Sequence, residues 1–193
     1  IRDRHNMDRR ASLVRARQKQ ELEAELQFET KDQEQAFFRQ VLLNGAKFLK
    51  YGRSGTPHIK YVCCNVLGNL FWDNSPIDPC RLEPCDTFIR LKDVTHVLKG
   101  KQSEVMKRKV AEHAPDWLCF SVVTPDRTVD LQAVNVKERE LWVRAIESGV
   151  IDAKAGVVNF ITGDTIARMM DAKQTKAPPP PVVAAAGGPG KLT

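Results

Sequence analysis

No apolar run in this chain of 193 residues approaches the roughly 20 residues that an α-helix needs to cross a bilayer. The opening residues also lack the order of a secretory signal. Histidine is scarce, with four in the chain, and none has a second ligand at helical spacing, which leaves a zinc site without its donors. The five cysteines, Cys63, Cys64, Cys80, Cys85 and Cys119, are odd in number and three fall in strand patterns. They read as buried small hydrophobes in a reducing compartment, with a metal pair through Cys80 and Cys85 as the lesser alternative. There is no Gly-x-Ser-x-Gly elbow, no nucleotide-binding glycine pattern and no His/Cys or paired-carboxylate constellation, so neither catalysis nor a cofactor is expected. Together these absences point to a soluble, cytoplasmic chain that is peripheral to a membrane or the cytoskeleton. Because it opens on Ile1, it is expected to be a piece of a longer protein.

What is present is clearest in residues 117–150. Leu118, Phe120 and Val122 alternate with Cys119, Ser121 and Val123, and Val129, Leu131 and Ala133 again occupy every second position. That is the period of half-buried strands, here separated by the turn residues Pro125-Asp126-Arg127. After Asn135, a candidate N-cap, the period changes: Trp142, Ala145, Ile146 and Gly149 recur at three and four, with charged residues opposite. Upstream, residues 46–51, 58–66, 69–73 and 88–98 are β-prone runs broken by Gly52-Arg53-Ser54-Gly55-Thr56-Pro57, by Leu67-Gly68-Asn69 and by a proline-bearing stretch at 74–85. Counting 88–98 as one bent strand or two gives six or seven. A sequential antiparallel meander that rolls up, with one helix over an open end, is the economical topology.

The ordered set LLNGAKFLKYGRSGTPHIKYV, NLFWD, FIRLKDVTHVLKGKQSEVMKR, WLCFSVVTPDRTVDLQA and KERELWVRAI resembles a pleckstrin homology (PH) domain of the type found in phosphoinositide-specific phospholipases C. The resemblance covers residues 42–150 and implies a mainly β fold with α: a PH-like antiparallel barrel or sandwich capped by one C-terminal helix. It also implies basic residues at both edges of the first two strands, converging on a phosphorylated headgroup. Lys50 and Lys60 match two of these positions. Gly52 and Pro57 stand where the pattern is basic, with Arg53 and His58 one residue away in each case. The expected anionic headgroup site is therefore Lys50, Arg53, His58 and Lys60.

Charge divides the remainder. Residues 1–19 are dominated by arginine and lysine, whereas Glu21, Glu23, Glu25, Glu29, Asp32 and Glu34 follow against Lys31 alone. Residues 8–40 lack glycine and proline, and Arg17 with Glu21 and Lys19 with Glu23 lie one helical turn apart, so a long charged helix is expected before the domain. Its apolar residues, Leu13, Val14, Leu22, Leu26, Phe28, Phe37 and Phe38, are too irregular for a heptad. The helix reads equally as a solvated lead-in or as a surface for a partner. Arg9-Arg10-Ala11-Ser12-Leu13 resembles the substrate motif of basophilic kinases. A second basic group, Arg90, Lys92, Lys99, Lys101, Lys107, Arg108 and Lys109, carries no interleaved aromatics, which suits an anionic membrane or acidic protein better than nucleic acid.

The organisation expected is a helical extension at 1–41, a PH-like domain at 42–150, an extension with a short helix at 151–176 and a Pro/Ala/Gly-rich tail at 177–193. The first functional reading is a non-catalytic adaptor or targeting module for anionic phosphoinositide-type lipid, a protein partner, or both. The alternative is a structural protein of a cytoskeletal or flagellar assembly. In it the domain is a rigid protein-binding block without lipid, and partners bind the N-terminal helix and the C-terminal extension.

Overall fold

The structure, a computed structural model, describes residues 2–53, 55–76, 78–80 and 87–156. The short helix and the proline-rich tail expected beyond Gly156, and Cys85, lie outside these residues.

Seven strands form one antiparallel sheet: β1 (Ala46–Tyr51), β2 (His58–Cys64), β3 (Asn69–Asp73), β4 (Phe88–Arg90), β5 (His96–Lys99), β6 (Cys119–Val123) and β7 (Thr128–Gln132). Their spatial order is β4-β3-β2-β1-β7-β6-β5. The first and last strands therefore pair, Lys50 lying opposite Leu131, and two meanders meet at β1. The run 88–98 is two strands, because a 3-10 turn at Leu91–Asp93 interrupts it. Leu91 is there wholly buried, its N–H donating to the Gly68 carbonyl at 2.9 Å.

Helix α3 (Val136–Lys154) closes the sheet and completes the PH-like sandwich. Its start is fixed as expected, with Asn135 Oδ1 accepting from the Glu138 N–H at 2.8 Å. Glu138 returns the contact by accepting from the Val134 N–H at 2.9 Å, a reciprocal cap that satisfies two orphan donors. Trp142, 2% exposed, meets Phe48 edge-on with ring centroids 5.0 Å apart, and Phe48 meets Phe120 at 5.5 Å. These three rings join helix, first strand and sixth strand in one core.

The charged N-terminal segment is two helices rather than one: α1 (Arg2–Glu25) and α2 (Lys31–Asn44). The break has a local cause, since Thr30 is an N-cap whose side chain accepts from the Gln33 N–H at 3.2 Å. At the elbow Phe28 packs on Phe37 and Phe38 at 5.3 and 6.1 Å. Helix α2 puts Phe38, Leu42 and Leu43 into the same core as Trp142, and Arg39 bridges buried Asp152 of α3 at 2.7 Å. The C-terminal half of α1 lies along α3, with Leu22 buried, Lys137 to Glu25 at 2.7 Å and Arg144 to Glu23 at 3.4 Å. Of the apolar residues that fit no heptad, Leu22, Leu26 and Phe38 thus pack on the chain's own domain, whereas Leu13 and Val14 stay exposed. One turn between helix and sheet needs glycine: Gly45 has φ +69, and a Cβ there would sit 2.7 Å from the Tyr61 ring.

Candidate anion-binding site

Strands β1 and β2 deliver the basic residues, and their register decides which face each occupies. Phe48 lies opposite Lys60 and Lys50 opposite His58. Directly opposed residues share a face, and so do residues two apart, so Lys50, His58 and Lys60 all stand on the side of Phe48. That row runs from the dry core at Phe48 to the mouth of the sandwich. Trp72 of β3 lies opposite Val62, two residues beyond Lys60, and supplies an aromatic wall on the same side.

Two cations sit on that wall. Lys50 Nζ is 5.2 Å from the Trp72 ring centroid, and the Arg127 guanidinium is 4.9 Å from it. Lys60 Nζ donates to Asn74 Oδ1 at 2.6 Å, a neutral acceptor that leaves the ammonium charge uncompensated. Burial pushes the Lys50 pKa down from the ordinary lysine value, and the charges of Arg127 and Lys60 push it further the same way, with Asp130 acting in opposition. The positive charge of Lys50 is therefore held in an unfavourable place.

On the other side of Lys50 a cavity of about 490 Å³ opens between the β1–β2 loop and the β6–β7 turn, lined by Lys50, Gly52, Arg53, Arg127, Thr128 and Asp130 among others. Arg53 points across it and donates to the Asp126 carbonyl at 3.1 Å, which ties loop to turn. Arg108, from the segment between β5 and β6, donates in turn to the Arg53 carbonyl. Asp130 does not neutralise these cations by direct contact. Its buried carboxylate accepts from the hydroxyls of Ser103, Ser121 (2.7 Å) and Thr128 (2.6 Å), which anchors the β5–β6 segment to the sheet. That segment carries Lys101, Lys107, Arg108 and Lys109 around a second, shallower hollow, so positive charge continues outward from the first.

The four residues expected from sequence are thus divided. Lys50, His58 and Lys60 share one face, with His58 exposed at its edge, while Arg53 lies across the loop on the cavity side. Arg127 and Trp72 are additional. Arg127 is legible in the sequence only as a turn residue; the pairing of β1 with β7 brings that turn beside Lys50 and Trp72.

Cys63 and Cys119 take no part. Burial pushes the Cys63 thiol up to about 12, helped by Asp78, and the Cys119 thiol up to about 11, so both stay protonated near neutrality. No group of His, Cys, Asp and Glu suited to a metal occurs among the described residues. Nor is any helix among them long and apolar enough to cross a membrane.

No protein-family model and no curated protein sequence matches the chain. Among solved structures it is similar to PLC21 of S. officinalis, at 17% identity and TM-score 0.44 over 57% of this chain and 16% of that one. It is also similar to the C-terminal PH domain of human pleckstrin, at 24% identity and TM-score 0.39 over 57% and 81%. A third is Inner Membrane Complex Sub-compartment Protein 1 of Toxoplasma gondii, at 14% identity and TM-score 0.42 over 65% and 97%. The chain thus spans about a sixth of the length of PLC21.

Proposed function

We propose that this chain is a non-catalytic targeting module that takes a phosphorylated anionic group, of the phosphoinositide headgroup type, at the mouth beside β1 and β2. The observation that carries this reading is the pair of cations, Lys50 and Arg127, both within about 5 Å of the Trp72 ring centroid (5.2 and 4.9 Å), with no ion pair to either from a carboxylate among the described residues. An arriving phosphate relieves the repulsion between them and gains charge-assisted bonds from both. Lys60 and His58 extend the grip along the same face, and Arg53 closes it from the loop. The basic β5–β6 segment adds weaker, longer-range attraction to an anionic bilayer.

Sedimentation with phosphoinositide-bearing vesicles tests the proposal. Each charge-assisted contact is worth about 1.5–3 kcal/mol and each 1.4 kcal/mol is tenfold. The double variant Lys50→Glu/Lys60→Glu is therefore expected to lose about a hundredfold in binding, and Arg127→Glu about tenfold. Equal sedimentation with neutral vesicles, or indifference to all three substitutions, would sink it.

A second reading, a protein-binding block within a larger assembly, draws support from Leu13, 70% exposed, and Val14 beside it. They lie on the part of α1 that precedes its buried residues. If residues 2–14 stay equally sensitive to protease alone and in the rebuilt native assembly, that reading fails.

A further inference from the structure

We propose that Ser12 is a phosphorylation site for an arginine-directed protein kinase, and that its phosphate draws Arg15 off Trp117 and so loosens α1 from the domain. Arg9 and Arg10 stand three and two residues ahead of Ser12, and Leu13 follows it. An enzyme that selects basic substrates needs guanidinium groups upstream for its acidic subsites and an apolar residue just downstream. All of these side chains are exposed, as is every residue from Asp8 to Val14. Among the described side chains of α1 the first that is half-buried is that of Arg15. A kinase cleft takes its substrate extended, and opening the front of α1 there breaks helical hydrogen bonds but no buried packing.

The transfer needs ATP as donor. Ser12 Oγ attacks the γ-phosphorus, the bond from that phosphorus to the bridging oxygen of the β-phosphate breaks, and the hydroxyl proton passes to the kinase's base. The products are phosphoserine and ADP, with no change of oxidation state.

The consequence follows from what Arg15 does now. Its guanidinium lies 4.3 Å from the centroid of the Trp117 ring, an aromatic side chain that is itself 45% exposed. It is the foremost contact between α1 and the domain among the described side chains. Residues three apart on a helix are neighbours, so a phosphate on Ser12 comes within reach of Arg15 and, on the preceding turn, of Arg9. A phosphate offers close to two negative charges and three acceptor oxygens. Its bonds to a guanidinium are stronger than an exposed cation–π contact. Arg15 therefore turns from ring to phosphate. The grip of α1 is then left to Lys19, Leu22, Glu23 and Glu25.

The intact chain, incubated with Mg-ATP and the catalytic subunit of the cyclic-AMP-dependent kinase, is expected to take one phosphoryl group at Ser12 by mass spectrometry. Ser12→Ala removes it, and Arg9→Ala/Arg10→Ala slows it by about tenfold or more. The indole N–H signal of Trp117 should then move as it does in Arg15→Ala, while that of buried Trp142 holds still. Arg9, Arg10 and Ser12 are exposed and Arg15 is half-buried at the edge of the domain, so the fold survives each change. Phosphorylation of a peptide of residues 6–16 but not of the chain would overturn the site, and a phosphorylated Ser12 that leaves Trp117 unmoved would overturn its effect.

Discussion

Lys50 is charged where the folded chain accommodates charge poorly: half-buried, beside Arg127 and diagonal across the strand pair from Lys60. Its pKa is lowered on folding, so between the folded and unfolded values the unfolded chain holds more protons, and stability rises with pH across that alkaline window. Below it the penalty for the charge is present in full. Lys50→Met keeps the stem over Trp72 and deletes the charge. It is therefore expected to leave the melting temperature unchanged or raised at neutral pH and to flatten the alkaline rise, while reducing binding to phosphoinositide vesicles by about tenfold or more. Calorimetry from neutral to alkaline pH, run alongside sedimentation, checks both halves; a clear loss of stability at neutral pH would show that Lys50 serves the fold. At Glu140 it is the charged form that the fold favours. Burial pushes it up, but the hydrogen bond from Lys99 and the charges of Arg139, Lys99 and Lys19 outweigh that and hold it below the ordinary glutamate value. Its stabilising contribution is whole at neutral pH and disappears as pH falls through the lowered value, so Glu140→Gln should weaken the acid dependence of unfolding measured in urea at stepped pH.

Helix α3 was legible because two signals coincide: a capping residue at Asn135 and apolar positions recurring at three and four. Trp142 within it has no substitute, since it faces Phe48 on one strand and shares a core with residues of five others. Trp142→Ala is expected to cost about 3–5 kcal/mol, a large part of the roughly 5–15 kcal/mol that holds a domain together. Chemical denaturation should give a reduced midpoint, and a shift of only a few tenths of a kcal/mol would refute the core assignment. The strands were legible for a similar reason, period two being a local property. The site was only half legible. Alternation alone puts Lys50 with Phe48 and His58 with Lys60, but the β1–β2 register makes these one face, and register belongs to a pair of strands. Arg127 and Trp72 lie beyond local reading altogether, since they meet through the closure of β1 on β7.

At the scale of the molecule, the boundary that sequence resemblance suggests at residue 42 differs from the boundary that burial suggests. A resemblance follows the family's own elements, and α2 precedes them. Yet Phe38 is 3% exposed in the core that contains Trp142, and Arg39 meets an Asp152 side chain that is only 4% exposed. A chain starting at residue 42 loses the Phe38 packing, worth about 3–5 kcal/mol. It also leaves the Asp152 carboxylate buried without its partner, costing about 3–5 kcal/mol more. The sum is comparable with the whole stability of an ordinary domain. A chain of residues 29–156, which keeps the Thr30 cap and α2 but not α1, loses the Leu22 and Leu26 contacts, the Phe28 packing on Phe37 and Phe38, the Arg15–Trp117 contact and two exposed ion pairs worth at most about 1 kcal/mol each. Residues 29–156 are therefore expected to unfold cooperatively, a few degrees below residues 2–156. Residues 42–156 are expected to bind a hydrophobic dye and melt without a sharp transition. If 42–156 instead melts as sharply and as high as 29–156, then α2 is an ornament on the domain and the core closes without it.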